Sequence, residues 1–190
     1  MQAIIDACKA DELPAQPVVV ISNNRESGVL ARARAEGIAA YHLSSSTHPD
    51  PEQLDRKITA TLQEHEVDIV ILAGYMKKIG QRTLTAYKGR ILNIHPALLP
   101  KYGGAGMYGM HVHAAVIANG EKESGATIHI VDGDYDTGPV LAQKTVVVTA
   151  ADTAESLARK VLTVEHELYV ETLGKILNSE IQLPDRGKFN

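Results

Sequence analysis

Four short aliphatic runs, separated by stretches of helical periodicity, constrain the first hundred residues more than any other feature. Val18-Val19-Val20-Ile21 is apolar throughout, as a strand covered on both faces must be. Ser22-Asn23-Asn24 closes it with turn residues. Ala39 to Leu43, then Ile69-Val70-Ile71-Leu72, then Ile91-Leu92-Asn93-Ile94 repeat the pattern. Between them the spacing predicts a helix over Ser27 to Glu36, with Gly37 just past its end, and another from Asp50 to about His65. The second opens in the favoured order of cap, proline and acid (Asp50-Pro51-Glu52). Strands alternating with helices predict right-handed crossovers and an α/β fold, a Rossmann-like, mostly parallel twisted sheet with helices on both faces.

The second half changes character. Val112 to Asn119 reads as a short helix, and Ala126 to Val131 and Val140 to Val148 as two antiparallel strands. A long helix capped by Asp152 or Thr153 then carries Leu157, Val161, Val164, Leu168 and Leu173 at helical spacing. The tail beyond Asn178, with Pro184, Asp185 and Gly187, is expected to pack poorly. No repeat or linker interrupts the 190 residues, so one domain is expected: a nucleotide-binding-like half over 1–95, a second half over 96–178, and a tail over 179–190.

Composition narrows the function. A net charge of −4 without a basic run gives no electrostatic case for nucleic acid. Cys8 is the single cysteine, which rules out an internal disulfide and a Cys-rich zinc site and suits a reducing compartment. No apolar run reaches the length of a membrane span and no signal-peptide pattern opens the chain, so a cytoplasmic location is expected.

In a parallel sheet, ligands bind beyond the carboxyl ends of the strands. Asn93 and His95 stand at such an end, two residues apart and so on one face. Asn can donate to a developing oxyanion; His can do so when charged and can move a proton. Asp136, in a turn before Thr137-Gly138-Pro139, is the carboxylate that would orient the ring. Each residue alone reads equally well as turn chemistry. His111-Val112-His113 raises a metal alternative, with His95, His129 or Asp136 completing a site. The run Gly103-Gly104-Ala105-Gly106 lacks the Lys and Ser/Thr of a phosphate loop and reads as a mobile loop over the site.

Taken together, Ile91-Leu92-Asn93-Ile94-His95-Pro96-Ala97-Leu98-Leu99-Pro100-Lys101-Tyr102, His111-Val112-His113, Gly125-Ala126-Thr127-Ile128-His129 and Asp136-Thr137-Gly138-Pro139 closely resemble the glycinamide ribonucleotide transformylases. These are the phosphoribosylglycinamide formyltransferases of purine biosynthesis, and the resemblance covers nearly the whole chain. It implies a formyltransferase fold and formyl transfer from 10-formyltetrahydrofolate, as co-substrate, to the amine of glycinamide ribonucleotide, with no metal. Carried over, Asn93 and protonated His95 would stabilise the oxyanion and Asp136 would keep His95 charged, with Thr127 and His129 in support. Tyr75, Met76, Ile79, Leu92, Val131 and Asp132 would line the folate site. Pro96 and Glu165 would contact the nucleotide. A homodimer is compatible with this reading.

Two departures accompany the likeness. Lys78 stands where the family has an apolar residue at the folate pocket, and is expected to snorkel outward. The family also begins with a strand and a Gly-x-Gly-Ser-Asn phosphate loop, where this sequence has Met1 before Gln2-Ala3-Ile4. The helix read from Ala3 to Lys9 has no capping residue before it. The natural protein is therefore expected to be longer by a strand and its loop; without them the facing ladders would stand unpaired, and weak nucleotide binding and low stability would follow. The rival readings are a formyltetrahydrofolate deformylase, which hydrolyses the formyl group, and a folate binder without catalysis.

Overall fold

Six strands and six helices run through residues 1–184, the part of the chain that the computed structural model describes. Helix α1 (Gln2–Lys9) precedes strand β1 (Val19–Ser22), α2 (Gly28–Ala35), β2 (Ala39–His42) and α3 (Pro51–Glu64). Then come β3 (Val70–Leu72), α4 (Gln81–Ala86), β4 (Ile91–His95), α5 (Met110–Ala118), β5 (Glu123–Ile130), β6 (Val140–Val147) and α6 (Ala154–Leu177). The caps agree with local chemistry. Ser27 Oγ accepts from the Val29 amide at α2, and Asp50 accepts from Glu52 at α3, where Pro51 leads the first turn. Thr153, not Asp152, caps α6, in a box whose reciprocal partner is Ser156.

Pairing is parallel in the first half and antiparallel in the second. Strands β1 and β2 form a parallel pair, β3 and β4 another; β4–β5 and β5–β6 are antiparallel. The strands fall into two sheets, β1-β2 and β3-β4-β5-β6, and among the described residues none bridges β1 to β3. Alternation along β3 and β4 sends side chains to two cores. Leu92 and Ile71 join Ala126, Ile128, Val116 and the α6 residues Leu157, Val161, Leu168 and Leu173 on one face. Ile91, Val70 and Leu72 meet Leu62, Tyr87, Val19 and Ile21 on the other. Helices therefore cover both faces, as an α/β fold of this kind requires. Tyr169 Oη on α6 donates to the Leu72 carbonyl at 2.7 Å, tying the long helix to the end of β3.

One helix escaped the sequence reading, and one expectation is corrected. Helix α4 was not legible as a helix, because QRTLTA carries no apolar stripe and its cap comes from outside: Asp55 of α3 accepts from the amides of Arg82 at 2.7 Å and Thr83 at 3.1 Å. The tail does pack as far as residue 184. Leu183 lies against the main core, and Arg90 donates to the Pro184 carbonyl at 2.6 Å. Asp185 and Gly187 lie outside the described residues. Among the described residues, no helix is long and apolar enough to cross a membrane.

Candidate active site

The β4–β5 register builds the site. It sets Asn93 opposite His129 and His95 opposite Thr127, so all four side chains leave one face of adjacent strands. After β5 the chain turns back through a loop in which Asp136 takes a positive φ of 57°, a conformation Asp tolerates better than most residues. That turn brings its carboxylate between two histidines. Asp136 Oδ2 lies 3.4 Å from His95 Nδ1, and Oδ1 lies 3.4 Å from His129 Nε2. The His95 and Asp136 side chains are only 4% and 10% exposed.

The other ring atoms are also engaged. His95 Nε2 donates to the Tyr102 carbonyl at 2.7 Å, and Gly104 N donates to Asp136 Oδ2 at 2.9 Å. The Asn93 amide lies 3.1 Å from His129 Nε2, while His129 Nδ1 donates to the Ile130 carbonyl at 3.1 Å. With its proton on Nδ1, His129 accepts from Asn93, which leaves the second amide hydrogen of Asn93 for a ligand. Burial holds the His95 pKa below its ordinary value, against the upward pull of Asp136 and the Tyr102 carbonyl. Burial also raises Asp136, but His129, the Gly104 amide and His95 together bring its carboxyl below the usual range. These directions favour an uncharged imidazole beside a carboxylate near neutral pH. Both ring nitrogens face oxygen, so a second proton would be well received.

A cleft opens beside this cluster. Leu72, Tyr75, Ile79, Leu84 and Val131 supply apolar wall, and Asn93, His129, Gly133, Asp134, Tyr135 and Asp136 supply the polar side. Of the residues expected to bind folate, Tyr75, Ile79 and Val131 are there and three are not. Leu92 is fully buried in the main core, because a neighbour of Asn93 on a strand must face the other way. Met76 is 60% exposed and lies outside the cleft wall. Asp132 is exposed and accepts from Thr137 Oγ1 at 3.1 Å. Lys78 does not leave the cleft: it is part of the lining, 3.5 Å from Asp134 and 6.0 Å above the Tyr135 ring, which line it too.

Comparison with known proteins agrees with this geometry. A sequence model of the formyl transferase family matches residues 1–173. The chain belongs to the formyl transferase family. It is 45% identical over 181 residues to a chloroplastic phosphoribosylglycinamide formyltransferase of Vigna unguiculata, covering 95% of this chain and 58% of that protein. It thus spans less than two thirds of that plant relative. It is 38% identical over 169 residues to the phosphoribosylglycinamide formyltransferase of Escherichia coli, covering 89% of this chain and 77% of the other. The crystal structure of glycinamide ribonucleotide transformylase 1 from Symbiobacterium toebii matches with a TM-score of 0.88 at 35% identity, over 97% of this chain and 85% of that one.

In this formyl transferase the remaining expected residues take different places. Thr127 is fully buried and works through the chain after His95: its hydroxyl donates to the Ala97 carbonyl at 2.6 Å and accepts from Leu99 N at 3.1 Å. Gln143 on β6, which sequence reasoning missed, donates to Thr127 Oγ1 and the Leu99 carbonyl, both at 2.9 Å. The glycine-rich run supplies the Gly104 amide to Asp136, so one of its residues is part of the site. His111 is exposed and His113 is 5% exposed. Among the described residues no cluster of His, Cys, Asp or Glu is arranged to hold a metal ion. Glu165 on α6 is half-buried, and burial pushes its carboxyl up to about 7. Pro96 is half-buried beside His95.

Gly138 anchors the far end of the Asp136 loop. A Cβ there would collide with the Ile130 carbonyl oxygen at the end of β5. Gly138→Ala should therefore cost about 1–3 kcal/mol, and should lower turnover by displacing Asp136. Chemical denaturation and kcat on the same sample check this; an unchanged midpoint with unchanged kcat would show that the loop accommodates the methyl.

Proposed function

We propose that this chain transfers a formyl group from 10-formyltetrahydrofolate to the amine of glycinamide ribonucleotide. The observation that carries the reading is Asp136 lodged between His95 and His129, beside an Asn93 amide with a free hydrogen, at the mouth of an apolar cleft. The similar proteins named phosphoribosylglycinamide formyltransferase support the choice of acceptor.

Tyr75, Ile79 and Val131 would receive the flat folate ring, whose polar edge would meet the backbone of residues 132–136. The amine attacks the formyl carbon, and the carbonyl electrons move onto oxygen. Asn93 donates to that oxyanion. Neutral His95 takes at Nδ1 the proton the attacking nitrogen must lose, and Asp136 balances the charge of the resulting imidazolium. His95 then returns the proton to the folate nitrogen as the carbon–nitrogen bond to folate breaks and the new amide forms. Pro96 and Glu165 are the residues proposed to contact the nucleotide.

Incubation with 10-formyl-5,8-dideazafolate and glycinamide ribonucleotide tests the reaction. Formylated nucleotide should form only when both substrates are present. Loss of formyl to water at the same rate without nucleotide would favour the deformylase reading, and folate binding with no turnover would leave a binder.

A further inference from the structure

The strand registers set His95, Thr127 and Gln143 in one row across β4, β5 and β6, on one face of the sheet. Residues 96–102 leave β4 and cross that row without joining a helix or a strand. Their course is therefore fixed by side chains. Thr127 Oγ1 donates to the Ala97 carbonyl at 2.6 Å and accepts from Leu99 N at 3.1 Å. Gln143, exposed on a strand at the sheet's edge, turns its amide inward onto the same stretch. It donates to the Leu99 carbonyl and to Thr127 Oγ1, each at 2.9 Å. Leu99 is thus held at its amide by Thr127 and at its carbonyl by Gln143, and the Thr127 hydroxyl has no bonding capacity left over.

Leu99 carries that anchoring to the reacting pair. It is buried, and its side chain lies against Gly103: a Cβ added there would fall 2.5 Å from Leu99 Cδ2 and 3.3 Å from Asp136 Cβ. On either side of Gly103 stand the two main-chain groups that touch the pair. The Tyr102 carbonyl accepts from His95 Nε2 at 2.7 Å, and the Gly104 amide donates to Asp136 Oδ2 at 2.9 Å. A carbonyl cannot donate, so its place decides the tautomer. The proton of the neutral ring sits on Nε2 and the lone pair on Nδ1, 3.4 Å from Asp136 Oδ2. That lone pair makes Nδ1 the atom able to take a proton.

We propose that Gln143 is a positioning residue for formyl transfer: by clamping Leu99 it holds the turn 102–104, and through the Tyr102 carbonyl it keeps the His95 proton on Nε2. The other tautomer is close at hand, because Asp136 offers an acceptor on the Nδ1 side. Without the clamp the turn relaxes and the carbonyl moves off the ring. Part of the population then carries its proton on Nδ1, where the ring has no lone pair to receive the proton of the amine. The tautomer half of this proposal stands without the formyl-transfer reading; the kinetic half rests on it.

Gln143→Met keeps the length of the side chain and removes both donors. Long-range proton–nitrogen spectra of the full chain with isotope-labelled histidines, at mildly alkaline pH and without substrate, report the tautomer; the His95 signals are those missing from His95→Ala. The wild-type ring should carry its proton on Nε2, and in Gln143→Met its two nitrogen shifts should move toward each other. There kcat should fall about ten- to a hundred-fold, with the folate KM within about two-fold. Thr145→Val, exposed two residues along the same edge strand, should change neither readout. A wild-type ring protonated on Nδ1, unmoved shifts in Gln143→Met, or equal effects of Thr145→Val would overturn the positioning role. Converged shifts with unchanged kcat, in a chain that does transfer formyl, would overturn its kinetic consequence. In a chain that transfers no formyl, the formyl-transfer reading fails and the shifts alone decide the clamp. Should Gln143→Met fail to fold, Gln143→Glu, equal in length with acceptors in place of the donors, is held to the same outcomes.

Discussion

His95→Ala should lower kcat about a hundred- to ten-thousand-fold while leaving the KM for the folate within a few-fold. In the proposed reaction the imidazole holds the proton in transit, a contact that does not exist in the ground state. The apolar cleft walls proposed to hold the folate ring do not include it. Loss of a transition-state contact lowers kcat and kcat/KM together. The substitution also leaves the Tyr102 carbonyl without its donor and opens a small hole at a residue 3% exposed, so about 1–3 kcal/mol of stability should go with it. That structural loss is separable, because circular dichroism and a denaturation midpoint report it directly. A comparable fall in folate affinity with kcat preserved would mean that His95 shapes the cleft rather than moves the proton.

Much of this site could be read from the sequence because β-strand geometry is short-ranged. Asn93 and His95 share a face by parity alone, and a strand end in a parallel sheet is where such residues are expected. The same parity argument, applied to Leu92, would have removed it from the folate wall, since a residue adjacent to Asn93 has to face the core. What was hidden depends on register and on loop closure. Gln143 meets Thr127 only because β6 pairs with β5 in one register, and nothing in its neighbourhood marks it. The Gly104 amide reaches Asp136 across 32 residues of chain. Helix α4 is hidden for a related reason: its cap, Asp55, lies on another helix, and the space at Gly80 is taken by that carboxylate. Local rules find caps that are adjacent in sequence and miss those delivered by tertiary structure.

At the histidine, burial and the charge expected from the motif pull in opposite directions. From the motif, Asp136 should keep His95 charged. The carboxylate does pull in that direction, yet burial outweighs it and holds the His95 pKa below its ordinary value; in the proposed reaction the imidazole becomes charged by receiving the substrate's proton. A group whose folded pKa is depressed contributes stability that is present above its unfolded value and is lost as pH falls through the folded one. His95 and Asp136 are both of this kind, so the site should loosen in acid and not in base.

Asp136→Asn isolates that electrostatic role, because the amide is nearly isosteric and can still accept from Gly104 N through its oxygen. Gly104 N and His95 Nδ1 both lie on the Oδ2 side, so the NH₂ would take the Oδ1 side, toward His129 Nε2, and His95 would face a neutral oxygen that supports its imidazolium less than the carboxylate does, which opposes the proton transfer. We expect kcat to fall about a thousand- to ten-thousand-fold, the scale seen when a buried carboxylate behind a catalytic histidine is neutralised, with folate KM little changed. The pH profile gives the sharper test. In the wild-type chain kcat/KM should rise with pH through a pKa below the ordinary histidine value of about 6.5, as His95 loses the proton that blocks it from acting as base. Removing the opposite charge should move that acid limb further down. Titration of the substrate amine is common to both proteins, so the displacement between their profiles reports the enzyme alone. A wild-type profile that falls between pH 6 and 7.5 would show that the reaction begins from the imidazolium. A limb that stays fixed in Asp136→Asn would show that the carboxylate positions His95 without setting its charge.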